Sequence, residues 1–333
     1  MTGRSSAMRR VFLILLAGRG TSPLSMAGRN NRSSLSRFKF LSSTAATFLT
    51  SATLISADPS SCEAKPTTGN PRYIDEELQM QMDGSDNPRS RGVLVRRITG
   101  DSTPYTFPVN PVRLVKEWPE EAPFEPRDFE REDEMDDTAF YTVPRLVYHI
   151  DEPAVASLTQ YYRNNIKPGS NILDICSSWV SHYPLEFPKI MKRISGTGMN
   201  GLELKFNDQL NDFEARNLNK DPTLPYKDNS FDVVTCVVSI DYLNKPIQVL
   251  KEVHRVLRPG GKVIISQSNR CFPTKAIRMW LTMNDRQHLE LINAYFQYAG
   301  GFKTRKAFEI TATLPDNSYR DPMFIIEAIK EDS

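Results

Sequence analysis

The densest run of apolar positions lies past the middle of the chain. Residues 231–240 are almost continuously β-branched or apolar, as in a parallel strand covered by helices on both faces. Behind it, Pro246 suits a first helical turn. Val249, Leu250, Val253, Val256 and Leu257 then recur at helical spacing, leaving Lys251, Glu252 and Arg255 largely on the outer face. Pro259-Gly260-Gly261 is expected to end that helix, because Gly takes the positive φ of a C-terminal cap and Pro cannot prolong a helix. Residues 262–266 predict a second buried strand, so the whole stretch reads strand, helix, turn, strand.

The same alternation runs from residue 140 to the end. Val155, Leu158, Tyr161 and Tyr162 form a helical stripe across 152–165 that stops at Lys167-Pro168-Gly169. Strands are expected at 171–176, 193–196 and 213–218, with a helix at 202–210. Helices follow at 274–283 and 287–299, the second capped by Gly300-Gly301. The last strands, 303–312 and 323–329, are joined by a hairpin loop at 314–322. Alternating signals of this kind predict one α/β domain over residues 138–331. Residues 58–137 are rich in Pro and charge, carry an acidic run at 128–137 and predict a mostly irregular lead-in, with short strands at 92–99 and 105–115.

Composition adds one asymmetry. A net charge of +2 gives no case for nucleic acid, and 39% hydrophobic with 25% charged residues suits a globular chain. The first 57 residues, however, hold Arg and Lys but no Asp or Glu. We read 1–57 as an organelle targeting presequence: an apolar core at 11–17 behind Arg9 and Arg10, a basic segment at 19–39, and a softly apolar stretch at 40–57. That bipartite order favours plastid over mitochondrion; the alternative is an unprocessed tail. Neither apolar segment reaches the ~18 residues of a permanent membrane span. Cys62, Cys176, Cys236 and Cys271 form no C-x-x-C pair and no His cluster accompanies them, which argues against a metal site or a disulfide framework.

Two motifs carry a family resemblance. Leu224-Pro225-Tyr226-Lys227-Asp228-Asn229-Ser230-Phe231-Asp232 and Arg255-Val256-Leu257-Arg258-Pro259-Gly260-Gly261 resemble the hallmarks of class I S-adenosylmethionine-dependent methyltransferases of the type 11 group. The stretches DICSSWVSH, GMN, SFDVVT, SNRCFPTKA and YAGGF resemble a narrower, organellar set of methyltransferase-like proteins. The resemblance implies a Rossmann-like, mostly parallel seven-stranded sheet with a terminal antiparallel hairpin. It also implies S-adenosyl-L-methionine as cofactor and a small-molecule acceptor, and leaves the oligomeric state open.

In open α/β sheets ligands lie at the carboxyl ends of the strands. There the family carries D-x-G-x-G-x-G, and this chain has Asp174-Ile175-Cys176-Ser177-Ser178-Trp179-Val180. Asp174 matches; Cys176, Ser178 and Val180 replace the glycines. The loop is therefore expected to take another path, with Ser177, Ser178 or Trp179 supplying donors. Gly198 stands where the family places an acid for the ribose, with Glu203 or Asn200 as substitutes. Asn217, Asn219 and Asp221 follow the third strand, and Asp221 is the nearest acidic match for the adenine amine. Asp241 and Tyr242 follow the fourth strand, and Asn269, Arg270, Cys271 and Phe272 the fifth. Both groups are expected to face the acceptor, with Asp241 as base. The plain readings are a surface ion pair for Arg270, a buried filler for Cys271 and a structural role for His149. Three functions stay open: a methyltransferase with a remodelled loop, a binding or scaffold protein that lost the cofactor, and a hydrolase using Ser177 or Ser178 with His182.

Overall fold

The structure, a computed structural model, describes residues 105–332. The presequence, the expected strand at 92–99 and Cys62 lie outside the described residues. One sheet of eight strands organises them: β1 (Asn110–Val112), β2 (Asn171–Ile175), β3 (Arg193–Gly198), β4 (Asp212–Ala215), β5 (Phe231–Val237), β6 (Leu257–Gln267), β7 (Phe302–Glu309) and β8 (Phe324–Lys330). Their spatial order is β1-β7-β8-β6-β5-β2-β3-β4. The pairs from β6 across to β4 are parallel, whereas β8 runs antiparallel to both β6 and β7. The expected Rossmann-like sheet with its terminal hairpin is therefore present, and β1 adds an eighth strand from the lead-in, antiparallel to β7.

Alternate residues of the central strands feed two cores. Leu173, Ile175, Val234, Cys236, Val263 and Ile265 pack with the helices Pro246–Val256 (called α5 below) and Asp285–Ala299 (α7). Ile172, Val233 and Ile264 face the opposite way, against the helix Glu152–Asn165 (α2). The remaining helices are single turns or little more: α1 (Asp137–Phe140), α3 (Phe187–Ile190), α4 (Gly201–Phe206) and α6 (Arg278–Leu281). No helix among the described residues is long and apolar enough to cross a membrane.

Three boundaries differ from the sequence expectation. Helix α5 stops at Val256 because Leu257 is already extended and paired with Phe231; Pro259-Gly260-Gly261 is thus a bulged entry into β6, with Gly260 at φ 72°, not a helix cap. Helix α4 stops at Phe206, where the Asn207 amide donates to the Ser178 carbonyl and Ser181 Oγ. The helix expected at 274–283 is reduced to one turn. Lys275, only 1% exposed, is drawn instead into an ion cluster with Asp133 and Asp137.

That cluster also shows what the lead-in does. It is largely irregular, yet it is fastened to the sheet domain by β1, by the Phe124 and Phe129 rings against Tyr295, and by the Lys275 cluster. Arg131 completes the cluster at 2.7 Å from Asp137. Buried charges are tolerated only when paired and hydrogen-bonded, so the lead-in cannot lift away without stranding them.

A second acidic pair joins α2 to the loop before β8. Asp151 caps α2, and Asp151 and Asp321 each donate their backbone N–H to the other's carboxylate at 2.9 and 2.7 Å. Burial, and secondly the facing Asp321, push the Asp151 carboxyl up to about 6 from 3.8. A raised carboxyl contributes stability that is full below its unfolded value and is lost as pH rises through its folded value. The unfolding temperature should therefore fall more steeply between about pH 4 and pH 6 for the native protein than for Asp151→Asn, which keeps the capping oxygen and removes the charge.

Candidate functional site

The chain leaves β2 through a carboxylate that has no cation beside it. Asp174 is buried, and its oxygens accept hydrogen bonds from Ser177 Oγ (2.7 Å), Ser181 Oγ (2.7 Å) and Thr235 Oγ1 (3.0 Å). Burial pushes its carboxyl up to about 6, against the lowering effect of those hydroxyls. Two of the three donors come from the following loop, so the carboxylate folds the loop around itself. Cys176 takes φ 54°, the region that a glycine would otherwise supply. Ser177 N–H then donates to the Thr197 carbonyl at 2.8 Å, laying the loop across the end of β3. Gly198 is required by that contact: a Cβ there would sit 1.9 Å from the Ser177 carbonyl oxygen.

Beyond the strand ends lies a cavity of about 130 Å³. Its base is the loop from Asp174 to Val180, with Gly198 and Glu203 on one side and Leu218 and Asn219 on another. Glu203 accepts from Ser178 Oγ (2.8 Å) and from the backbone N–H of Arg145 (2.7 Å), and burial raises its carboxyl. The opposite wall joins Tyr242, Arg270, Cys271 and Phe272 to Arg131 of the lead-in and to Tyr141, Arg145 and His149 of the segment that follows it. There the Arg145 guanidinium sits 4.2 Å from the centre of the Phe140 ring and 5.4 Å from that of Phe272. His149 meets Phe272 edge-on at 5.5 Å. Burial, with Arg145 second, holds its imidazole neutral at about 4, and His182, at about 3, is likewise neutral.

Asp174, Cys176, Ser177, Ser178, Trp179, Gly198, Asn219 and Tyr242 are brought together around this cavity, as the sequence placed them. Three others are not. Asp241 is 2% exposed and does not border the cavity, so it sits in the core and not where an acceptor could reach it; burial raises its carboxyl well above the usual range. The 3₁₀ turn Ile240–Tyr242 turns Asp241 inward and leaves Tyr242 at the wall. Asp221 stands away from the cavity with its side chain 57% exposed, bonded to Arg216 and to the Thr223 N–H. Asn200 caps α4 and holds the Tyr141 carbonyl at 2.7 Å. Asn219 reaches the cavity, but its amide is spent on Asp137, the Tyr242 carbonyl and the Asn244 N–H. Asn269 bonds Tyr319, and the Arg270 guanidinium pairs with Asp321 at 2.7 Å from the cavity rim. Neither Ser177 nor Ser178 bonds His182; their hydroxyls go to Asp174 and Glu203, which removes the hydrolase geometry.

Sequence reasoning missed the lead-in wall. Arg131, Asp137, Tyr141 and Arg145 belong to no strand end, and nothing in their spacing directs them to the cavity.

Residues 199–265 match the family described as a methyltransferase domain. The matched segment resembles a methyltransferase domain. A demethylmenaquinone methyltransferase of Bacillus mycoides (strain KBAB4) is 32% identical over 120 residues, covering 32% of this chain and 48% of the relative. Its counterpart in Bacillus cereus (strain AH187) is 29% identical over the same length and shares. The chain thus spans about half the length of the curated relatives it matches. Among solved structures, an S-adenosylmethionine-dependent methyltransferase of Mesorhizobium loti aligns with 15% identity and a TM-score of 0.38, over 53% of this chain and 98% of that one. A second, from Aquifex aeolicus, aligns with 16% identity and a TM-score of 0.36, over 51% and 87%.

The glycine contact under the cavity yields a paired expectation. Gly198→Ala should lower the urea midpoint by the equivalent of about 1–3 kcal/mol or more, as overpacking against rigid backbone does. Gly201→Ala, whose new Cβ meets only Ala215 at an ordinary 3.7 Å, should leave the midpoint within about 0.5 kcal/mol of the native value.

Proposed function

We propose that this protein is an S-adenosylmethionine-dependent methyltransferase acting on a small aromatic acceptor that is methylated as an anion. The observation that carries the reading is the cavity itself, with strand-end carboxylates on one side and an aromatic and guanidinium wall on the other. The residues fit the cofactor by their chemistry. Ser178 and Trp179 line the cavity and their backbone N–H groups have no partner among the described residues, which suits a methionine carboxylate. Glu203 replaces the missing ribose acid from the first turn of α4, as a carboxylate already turned toward the cavity. Leu218 offers an apolar face to the adenine. When bound, the cofactor supplies the electrophilic methyl group.

What the chain's own residues do is orient the acceptor and hold its charge. Tyr242 and Phe272 make flat walls, with Phe140 edge-on to Phe272, and Arg145 adds a fixed positive charge whose only side-chain hydrogen bond among the described residues is to the Phe140 carbonyl at 3.0 Å. No base titrating near neutrality stands on that wall, because His149 and His182 are held neutral well below it and Asp241 does not border the cavity. The wall therefore supplies charge stabilisation and not proton abstraction, which suits a phenolate or quinolate. The relatives named demethylmenaquinone methyltransferases support the same acceptor class. The acid-free presequence supports organellar import, plastid before mitochondrion, and sequencing the mature amino terminus tests it.

Titration calorimetry should show saturable binding of S-adenosylmethionine that Asp174→Ala abolishes. Methyl transfer from it to a reduced 1,4-naphthoquinone should fall about ten- to a hundredfold in Arg145→Met with cofactor affinity unchanged, the loss of one charge-assisted hydrogen bond. Asp241→Asn should leave the rate unchanged, and the pH–rate profile should follow the ionisation of the acceptor. Absence of binding heat at millimolar cofactor would overturn the reading.

A further inference from the structure

The outer edge of the sheet holds a second concavity, of about 500 Å³, which plays no part in methyl transfer. Strand β1 pairs with β7 only from Ala307 to Glu309; the chain then diverges through residues 113–116, leaving a cleft along the first half of β7. In a regular strand Lys303 and Lys306 would face opposite sides. Here the register against β8 shifts between these two residues and Thr304 takes φ 52°, so that Lys303, Arg305 and Lys306 all line the cleft. Arg113 and Lys116 line it from the other bank. The lining therefore carries five cationic side chains and no carboxylate.

Of the five, only Lys303 has a carboxylate partner among the described residues, Asp332. Arg305 is partly buried against α7, and its guanidinium makes one long hydrogen bond, 3.5 Å, to the Asn293 carbonyl. Burial with no anion beside it pulls the guanidinium below its usual range. A partly desolvated guanidinium left this way is costly, and an anion in the cleft would offset that cost.

We propose that this cleft is a binding site for a small, soluble polyanion carrying two or more phosphate-type groups, the class of inorganic pyrophosphate and the nucleoside di- and triphosphates. Its volume falls within the ~300–1,000 Å³ of small-ligand pockets, and its concavity suits a compact ligand better than a flat bilayer. It is separate from the methyl-transfer cavity. Register across the sheet sets Lys303 level with Ile172, at the amino-terminal end of the parallel strands, whereas the cavity opens beyond Ile175. Four strand spacings, roughly 19 Å, lie between β7 and β2.

The test uses the full chain at low ionic strength, with sodium pyrophosphate as probe. Saturable binding by calorimetry is expected, stronger than for orthophosphate and weakened about tenfold in Arg305→Gln and further in Arg305→Gln/Lys306→Gln. Lys303→Gln, whose ammonium is already paired, should change it least. Thermal unfolding without ligand establishes that each variant is folded, and S-adenosylmethionine affinity should be the same in all. Absence of pyrophosphate and ATP binding, or binding that the double variant retains, would overturn the site. Sedimentation with phosphatidylglycerol vesicles in preference to pyrophosphate would overturn it in favour of a lipid surface. Binding that appears only after removal of residues 1–104 would assign the cleft to that acidic-containing segment of the chain itself.

Discussion

A buried carboxylate without a cation is the constraint on which the rest of the site is built. Asp174 is stabilised only by hydroxyl donors, which are neutral and give less than a guanidinium or ammonium would. Two of those donors lie within seven residues of it, so keeping the carboxylate satisfied and keeping the loop folded are one requirement. In a glycine-rich loop backbone freedom sets the path. Here Ser177 and Ser181 set it by bonding, Cys176 accepts the left-handed conformation, and the loop is then close enough to β3 that only Gly198 fits beneath it.

The division between what was legible and what was not follows from the range of the signals. Periodicity reports which face of an element is buried, and the run from residue 231 to 266 therefore disclosed β5, α5 and β6 almost residue by residue. Motif register disclosed the strand ends, hence Asp174, Ser178 and Tyr242. It did not disclose side-chain direction after a strand: Asp241 and Tyr242 are adjacent, and one 3₁₀ turn sends the first into the core and the second to the wall. Nor did it separate Asp221, caught in a local turn with Thr223, from a ligand-facing acid. Glu203, kept only as a substitute, reaches the cavity because the first turn of α4 points back at the loop.

The lead-in marks the limit most clearly. An acidic run reads as solvated surface when nothing nearby in sequence opposes it. Asp133 and Asp137 are opposed by Lys275, more than a hundred residues away, and no local pattern encodes that meeting. The family match covers residues 199–265, which run from α4 to β6. The wall of the cavity that draws on Tyr141, Arg145 and His149 lies outside that match.

The distance between those partners has a consequence for biosynthesis. The Lys275 ammonium reaches back 142 residues to the Asp133 carbonyl. At ribosomal rates of ~5–20 residues per second, Asp133 waits on the order of ten seconds for its cation, and Asp137, although Arg131 is at hand, waits as long for Lys275. Until then they remain hydrated and the segment has no reason to dock, because burying the carboxylates alone is too costly. The wall that closes the cavity at the front is made first and seated last, and a nascent chain halted before Lys275 would hold its opening strands with the cavity still open to water.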